Sequence, residues 1–185
     1  MIILVRHGQT DWSRTGRHTG RTDVPLTDAG RHQAERVRAR LGDRQFAVVL
    51  TSPLSRAEET CRLAGVGDGA PCEDLLEWDY GAYEGRTTDD IRAERPDWLL
   101  WRDGTPGGEQ PDDVSTRADR VVAMLQGISG DAILFSHGHM LRMLAARWVG
   151  LAPEGGSRLA LDPATISVLG HEREVPVVRL WNEPP

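Results

Sequence analysis

Four consecutive apolar residues near the start of the chain, Ile2-Ile3-Leu4-Val5, run straight into Arg6-His7-Gly8. No other stretch constrains the fold as much. An uninterrupted, mostly β-branched run reads as a fully buried strand, the kind found in the middle of a parallel sheet. Open α/β sheets bind ligands just beyond the carboxyl ends of their strands, so the Arg-His-Gly turn stands where chemistry is expected. A positive charge, an imidazole and a glycine there suggest an anion site. The competing reading is a solvated turn after an edge strand, and three residues do not separate the two.

The pattern then repeats. Residues 46–50 and 132–135 are two further short apolar runs. The first leads into Thr51-Ser52-Pro53-Leu54-Ser55-Arg56, the second into Ser136-His137-Gly138-His139. If the three strands are parallel neighbours, Arg6, His7, Arg56 and His137 crowd over one edge of the sheet. Two arginines and two histidines with no carboxylate among them suit a phosphoryl group. Its oxygens accept charge-assisted hydrogen bonds of about 1.5–3 kcal/mol each. Helix N-termini after Arg56 and His137 would add backbone N–H donors.

Helical periodicity fills the intervals. Thr27 looks like the cap of a helix over 28–41, with Ala34, Val37 and Leu41 on its inner face and Gly42 as its stop. A helix over 53–64 starts at Pro53 with Ser52 as its cap. Two short helices broken at Pro96 occupy 88–102, and an amphipathic helix covers 112–128. An apolar, buried helix follows over 140–149. Residues 11–27 read as a long loop, of the kind that is usually functional. Residues 77–85 read as an irregular loop. Residues 75–76, 159–161, 165–169 and 175–181 are candidate strands, the later ones antiparallel at an edge. This strand-helix alternation implies an α/β fold, a mostly parallel central sheet with helices on both faces.

Composition narrows the partners. A chain of 185 residues reads as a single domain, 1–185. The formal net charge of −6 argues against nucleic acid or an anionic membrane as partner, so a basic feature must be a local pocket. No apolar run is long enough to span a bilayer. Cys61 and Cys72 form no C-x-x-C, and no cluster of Asp and His has metal-ligand spacing. The expectation is a cytoplasmic protein with free thiols, no metal and no cofactor, a monomer or a homodimer.

Leu4-Val5-Arg6-His7-Gly8-Gln9-Thr10 resembles the signature of the histidine phosphatase superfamily, the clan of cofactor-dependent phosphoglycerate mutases and many phosphatases. The resemblance continues through Gly16-Arg17 with Gly20 and Asp23, then Pro25-Leu26-Thr27 with Gly30, then Ser52-Pro53-Leu54-Ser55-Arg56. Glu77 with Tyr80-Gly81 and Glu84-Gly85, then Pro106-Gly107-Gly108-Glu109, then Ser136-His137-Gly138-His139 complete the order. It implies a three-layer, phosphoglycerate mutase-like fold and a phosphohistidine mechanism. His7 would be the nucleophile. Arg6, Arg56 and His137 would hold the phosphoryl oxygens, and Glu77 would protonate the leaving group and then activate water. Gln9, Ser13, Gly20 and Gly138 would be further substrate contacts, with Ser13 standing where the family usually has Asn. A neighbourhood of cations lowers a histidine pKa and favours the neutral, nucleophilic imidazole.

Other readings stay beside these. Glu84 is a second candidate for the acid. His139 reads as a helix-start residue near the pocket, and His18, His32 and His171 as surface groups. Trp78, Tyr80 and Tyr83 either line the substrate mouth or pack. The implied activity is a phosphomonoesterase acting, without a metal, on a small phosphorylated metabolite, with a resemblance to acid and sugar-phosphate phosphatases. A phosphoglycerate mutase is the first alternative, disfavoured because Trp78 and Asp79 follow Glu77 and the arginines over 85–107 are scattered. A non-catalytic phospholigand-binding module is the second.

Overall fold

The computed structural model describes residues 1–185. Its elements in order are β1 (Ile2–Arg6), α1 (Asp11–Arg14), α2 (Asp28–Leu41), β2 (Val48–Thr51), α3 (Ser55–Leu63) and β3 (Ala70–Pro71). There follow α4 (Thr88–Glu94), α5 (Leu100–Asp103), α6 (Pro111–Gln126), β4 (Ala132–Ser136), α7 (Gly138–Trp148), β5 (Ile166–Glu172) and β6 (Val175–Glu183). One six-stranded sheet runs in the order β3-β2-β4-β1-β5-β6. β4 lies between β2 and β1 and is parallel to both, with Val5 opposite Phe135 and Thr51 opposite the same Phe135. β5 and β6 add an antiparallel edge. The three strands singled out in the sequence are therefore contiguous and point the same way. Their carboxyl ends lie side by side.

Alternation along the strands splits the core into two layers. Ile2 and Leu4 of β1 join Leu134 of β4 in a cluster with α6 and α7, built on Val114, Val121, Met140 and Leu144. Ile3 and Val5 turn to the other face and pack with Val37, Leu41 and Cys61 of α2 and α3. Both faces are covered, which is why these strands read as unbroken apolar runs. No helix is long and apolar enough to cross a membrane.

Several expectations are corrected. α3 begins at Ser55, not Pro53, and its N-cap residue Leu54 gives no side-chain bond. The cap comes from far along the chain. The Asp23 carboxylate accepts from the Ser55 N–H at 3.1 Å and from its hydroxyl at 2.9 Å. Ser52 is not the cap: it lies outside the helix, and its hydroxyl accepts from the Leu54 N–H at 3.4 Å and is bonded to His137 at 2.7 Å. Residues 11–14 are a short helix, closed by a reciprocal capping box between Thr10 and Ser13, rather than loop. The expected strand at 75–76 is a 3₁₀ turn over Glu73–Leu75. Residues 159–161 form no strand, because their carbonyls serve side chains: Leu161 accepts from Arg6 Nη1 and Ala160 from Trp181 Nε1.

Candidate active site

The turn after β1 is locked from three sides. The His7 N–H donates to Ser136 O at 2.9 Å, across to β4. The Gly8 N–H donates to Thr60 Oγ1 of α3 at 3.1 Å. A β-carbon on Gly8 would lie 2.4 Å from Gly30 O, and one on Gly30 would lie 2.2 Å from Gln9 O. The turn and the first turn of α2 thus meet backbone to backbone, an approach only glycine permits. Within this frame His7 Nδ1 donates to Gly8 O at 2.7 Å. That bond places the proton on Nδ1 and leaves the Nε2 lone pair free. Burial, reinforced by Arg56 and Arg6, holds His7 well below the usual histidine range. The ring is neutral.

His137 meets His7 edge to face, with ring centroids 5.1 Å apart. Its Nδ1 accepts from Arg56 Nε at 3.2 Å, so Nε2 carries the proton and donates to Ser52 Oγ at 2.7 Å. Arg56 is fully buried, and its other nitrogens donate to the carbonyls of Thr19, Gly20 and Thr22. This guanidinium binds the loop after α1 to the site floor. Burial lowers the Arg56 pKa, opposed first by Glu77 and then by Asp23.

Arg6 and His7 line a cavity of about 260 Å³ together with Glu77 and Gly138. Arg6 donates from Nη1 to Leu161 O, while its Nε is the one buried side-chain polar atom with no partner. A β-carbon on Gly138 would lie 3.3 Å from that Nε and from Cζ, so glycine leaves the guanidinium its place. Glu77 sits on the N-terminus of α7. Its oxygens accept the backbone N–H groups of Trp78 at 2.9 Å, His139 at 3.0 Å and Met140 at 2.9 Å. The last two are donors that the first turn of a helix leaves unused.

Arg17, His18, His139 and Arg142 all reach the opposite part of the cavity wall. Arg17 and His139 come from the motifs, and His139 lies at the pocket as expected, whereas His18 and Arg142 are not legible in them. His18, expected at the surface, is buried, and desolvation lowers its pKa to about 4. His139 Nδ1 and the Tyr80 hydroxyl share a hydrogen bond of 2.6 Å, and burial holds the ring neutral. Tyr80 lines the cavity, whereas Trp78 is wholly core, its indole N–H donating to Glu109 O. The spacing of His139 and Arg142, three residues apart on one helix, was the available signal for this second face.

The remaining expected contacts fall elsewhere. Ser13 lines the cavity, but its hydroxyl donates to Thr10 O at 3.0 Å within the capping box. Gln9 Oε1 accepts from the Thr27 hydroxyl at 3.1 Å. The Gly20 N–H donates to Glu84 Oε1 at 2.8 Å, and the same oxygen takes the Thr22 N–H. Gln9, Gly20 and Glu84 hold the loop rather than face the cavity. A larger hollow of about 520 Å³ beside α3 is lined by Glu58, Glu59 and Asp68, whose charges repel phosphate, and holds no strand-end histidine.

Comparison with known proteins identifies the family. The profile of the histidine phosphatase superfamily (branch 1) matches residues 2–184. An acid phosphatase of Mycobacterium tuberculosis is 45% identical over 190 residues, which is 99% of this chain and 94% of that protein. A sedoheptulose 1,7-bisphosphatase of Saccharomyces cerevisiae is 37% identical over 183 residues, covering 80% of this chain and 67% of its own. The solved structure of an open reading frame product of Mycobacterium tuberculosis superposes with a TM-score of 0.95 at 43% identity, over 99% of this chain and 97% of that one. A match running from the first strand to the last, on a shared fold, places the chain in the histidine phosphatase superfamily, branch 1.

Proposed function

We propose that this histidine phosphatase is a phosphomonoester hydrolase of small phosphorylated metabolites, working through a phosphohistidine on His7. The relatives named for acid phosphatase and sugar bisphosphatase activity support the reaction class. The observation that carries the mechanism is the state of His7. It is a neutral ring with Nδ1–H bonded to Gly8 O and a free Nε2, at the floor of a cavity that Arg6 also lines.

In the first step the Nε2 lone pair forms the N–P bond as the ester P–O bond breaks. The leaving oxygen takes a proton from Glu77. In the second step the Glu77 carboxylate takes a proton from water, whose oxygen attacks phosphorus and breaks the N–P bond, releasing phosphate. Arg6 donates to the phosphoryl oxygens from its unpartnered Nε side. His137 turns its Nε2–H from Ser52 to an incoming oxygen, and Arg56 stabilises the charge from beneath. Phosphoryl transfer needs positioning and charge compensation more than covalent help, and these donors supply both without a metal.

Acid and alkaline quenching test the reading. Wild-type protein quenched during turnover is expected to carry an alkali-stable, acid-labile phosphoryl group, and His7→Ala to carry none and to lose turnover. Full activity in His7→Ala would remove the mechanism.

A further inference from the structure

Glu77 stands in a stretch with no regular structure to hold it. Residues 76–79 lie outside any helix or strand, and no backbone N–H reaches the carbonyls of Leu76 or Glu77. The carboxylate is anchored on the N-terminus of α7, but the backbone that carries it must be fixed from elsewhere.

One buried ion pair does this. Arg117 of α6 donates from Nη1 to Asp74 O at 2.9 Å and Leu76 O at 2.8 Å, and from Nη2 to Glu77 O at 3.4 Å. The same Nη1 lies 3.4 Å from Sδ of Met140, whose backbone N–H holds the Glu77 carboxylate. Glu109 closes the other side. Its Oε2 accepts the Asp79 N–H at 2.8 Å, and its own N–H donates to Asp79 O at 2.9 Å. The two side chains meet fork to fork, Nε to Oε1 at 2.7 Å and Nη2 to Oε2 at 2.8 Å. They are only 10% and 17% exposed, so water has little access to either.

Stability alone is a poor reason for such a pair. Taking two charges out of water offsets most of their attraction, and apolar side chains of similar volume often serve a fold as well. A planar fork fixes directions, which apolar packing does not. The directions fixed here are those of the peptide groups before and after Glu77. A second ion pair, joining α6 to α7, lacks this relation. Arg147 meets Asp119 at 2.7 Å and otherwise donates to Leu151 O, with no bond to residues 74–79.

We propose that Arg117 and Glu109 are positioning residues for the general acid, holding the backbone of Glu77 so that its carboxyl meets the leaving-group oxygen. This rests on the phosphatase reading above and assigns the ion pair that makes Glu77 effective in it.

Leaving-group dependence tests it. Benzyl phosphate matches para-nitrophenyl phosphate in shape but departs as an alkoxide that needs a proton. kcat/KM covers only the steps up to phosphorylation of His7, so it separates that proton transfer from the later attack of water. Arg117→Lys keeps the charge opposite Glu109 and loses the fork. It is expected to lower kcat/KM for benzyl phosphate by about 10- to 100-fold, the effect of a small misplacement, and for para-nitrophenyl phosphate by about twofold or less. Glu109→Gln is expected to shift the ratio of the two substrates in the same direction, and it carries the test if Arg117→Lys does not fold. In Glu77→Gln protein, Arg117→Lys is expected to cost benzyl phosphate nothing further, since no proton is left to place. Arg147→Lys is the control and is expected to leave the ratio unchanged.

Equal losses on both substrates, or the same further loss in Glu77→Gln protein, would make the pair a brace for the fold and overturn the proposal. So would a wild-type enzyme that turns over para-nitrophenyl phosphate alone. Wild-type protein that releases phosphate from neither substrate would sink the phosphatase reading itself, and the proposal with it.

Discussion

Arg56 Nε donates to His137 Nδ1 at 3.2 Å, joining the first turn of α3 to the end of β4 through two buried side chains. That bond sets the tautomer of His137, and burial, reinforced by the positive charge beside it, keeps the ring neutral. The far end of the same guanidinium holds three carbonyls of the loop over the site. One residue therefore orients a catalytic-site proton and closes the loop above it.

Arg56→Lys keeps the charge and loses the fork. The carbonyls of Thr19, Gly20 and Thr22 would lose their shared donor, at a cost of about 3 kcal/mol in stability. Turnover would fall by roughly 100-fold or more as the donors around the phosphoryl group lose their alignment. Urea unfolding and kinetics on para-nitrophenyl phosphate measure the two effects. An unchanged urea midpoint would show that the loop is held by Asp23 and Glu84 instead.

Glu77→Gln preserves the shape on the α7 N-terminus and removes the transferable proton. Alkyl phosphates should lose about 10²–10⁴ in rate, because their alkoxide needs that proton. Para-nitrophenyl phosphate should lose far less, since its phenolate departs unaided. Equal losses on both would detach Glu77 from leaving-group protonation.

The protein is expected to hydrolyse phosphoglycerate rather than isomerise it. A mutase must hold the intermediate while it turns beside the phosphohistidine and must exclude water meanwhile. Directly after Glu77 this chain places Trp78 in the core and Asp79 against the Gly81 N–H and Arg21. No cation follows the acid. None of the scattered arginines over 85–107 lines the cavity, and the cations that do so beside Arg6 are Arg17 and Arg142, from other elements. Supplying 3-phosphoglycerate with catalytic 2,3-bisphosphoglycerate and following 2-phosphoglycerate and free phosphate decides the matter. Rapid isomerisation with little phosphate release would reverse the assignment.

Acid should destabilise the fold through its buried histidines. His18 has its pKa lowered to about 4, from the 6.5 of the exposed group. The unfolded chain therefore binds a proton that the folded chain refuses between those values. Stability is fully present above pH 6.5 and is lost as pH falls toward 4, by up to about 3 kcal/mol for His18. His7, His137 and His139 are lowered too and add in the same direction. Urea midpoints at pH 7 and pH 5 should differ, and His18→Gln should reduce the difference. An identical pH dependence in the variant would mean that His18 titrates normally.

Local rules were enough wherever the determining interactions are local. α2 starts and stops where Thr27 and Gly42 said it would, because a side-chain cap and a left-handed stop act within a few residues. The apolar runs of β1 and β4 declared strands covered on both faces, and the residues ending them declared the edge where Arg6, His7 and His137 meet. The family signature added the roles those residues are expected to play.

Only the tertiary structure decided the rest, because the partners are distant in sequence. The start of α3 depends on an Asp23 carboxylate 32 residues earlier in the chain, and the Ser52 hydroxyl meets His137, 85 residues later. Tyr80 and His139, 59 residues apart, are joined by a hydrogen bond of 2.6 Å. His18 reads as a surface group in its own polar, glycine-containing segment, and becomes a buried neutral ring only once Tyr80 and Trp98 close around it. Periodicity and capping see a few residues either way along the chain. Charge and desolvation act through space, so which arginine is paired, which is left facing the cavity and which histidine loses its proton are properties of the packed molecule.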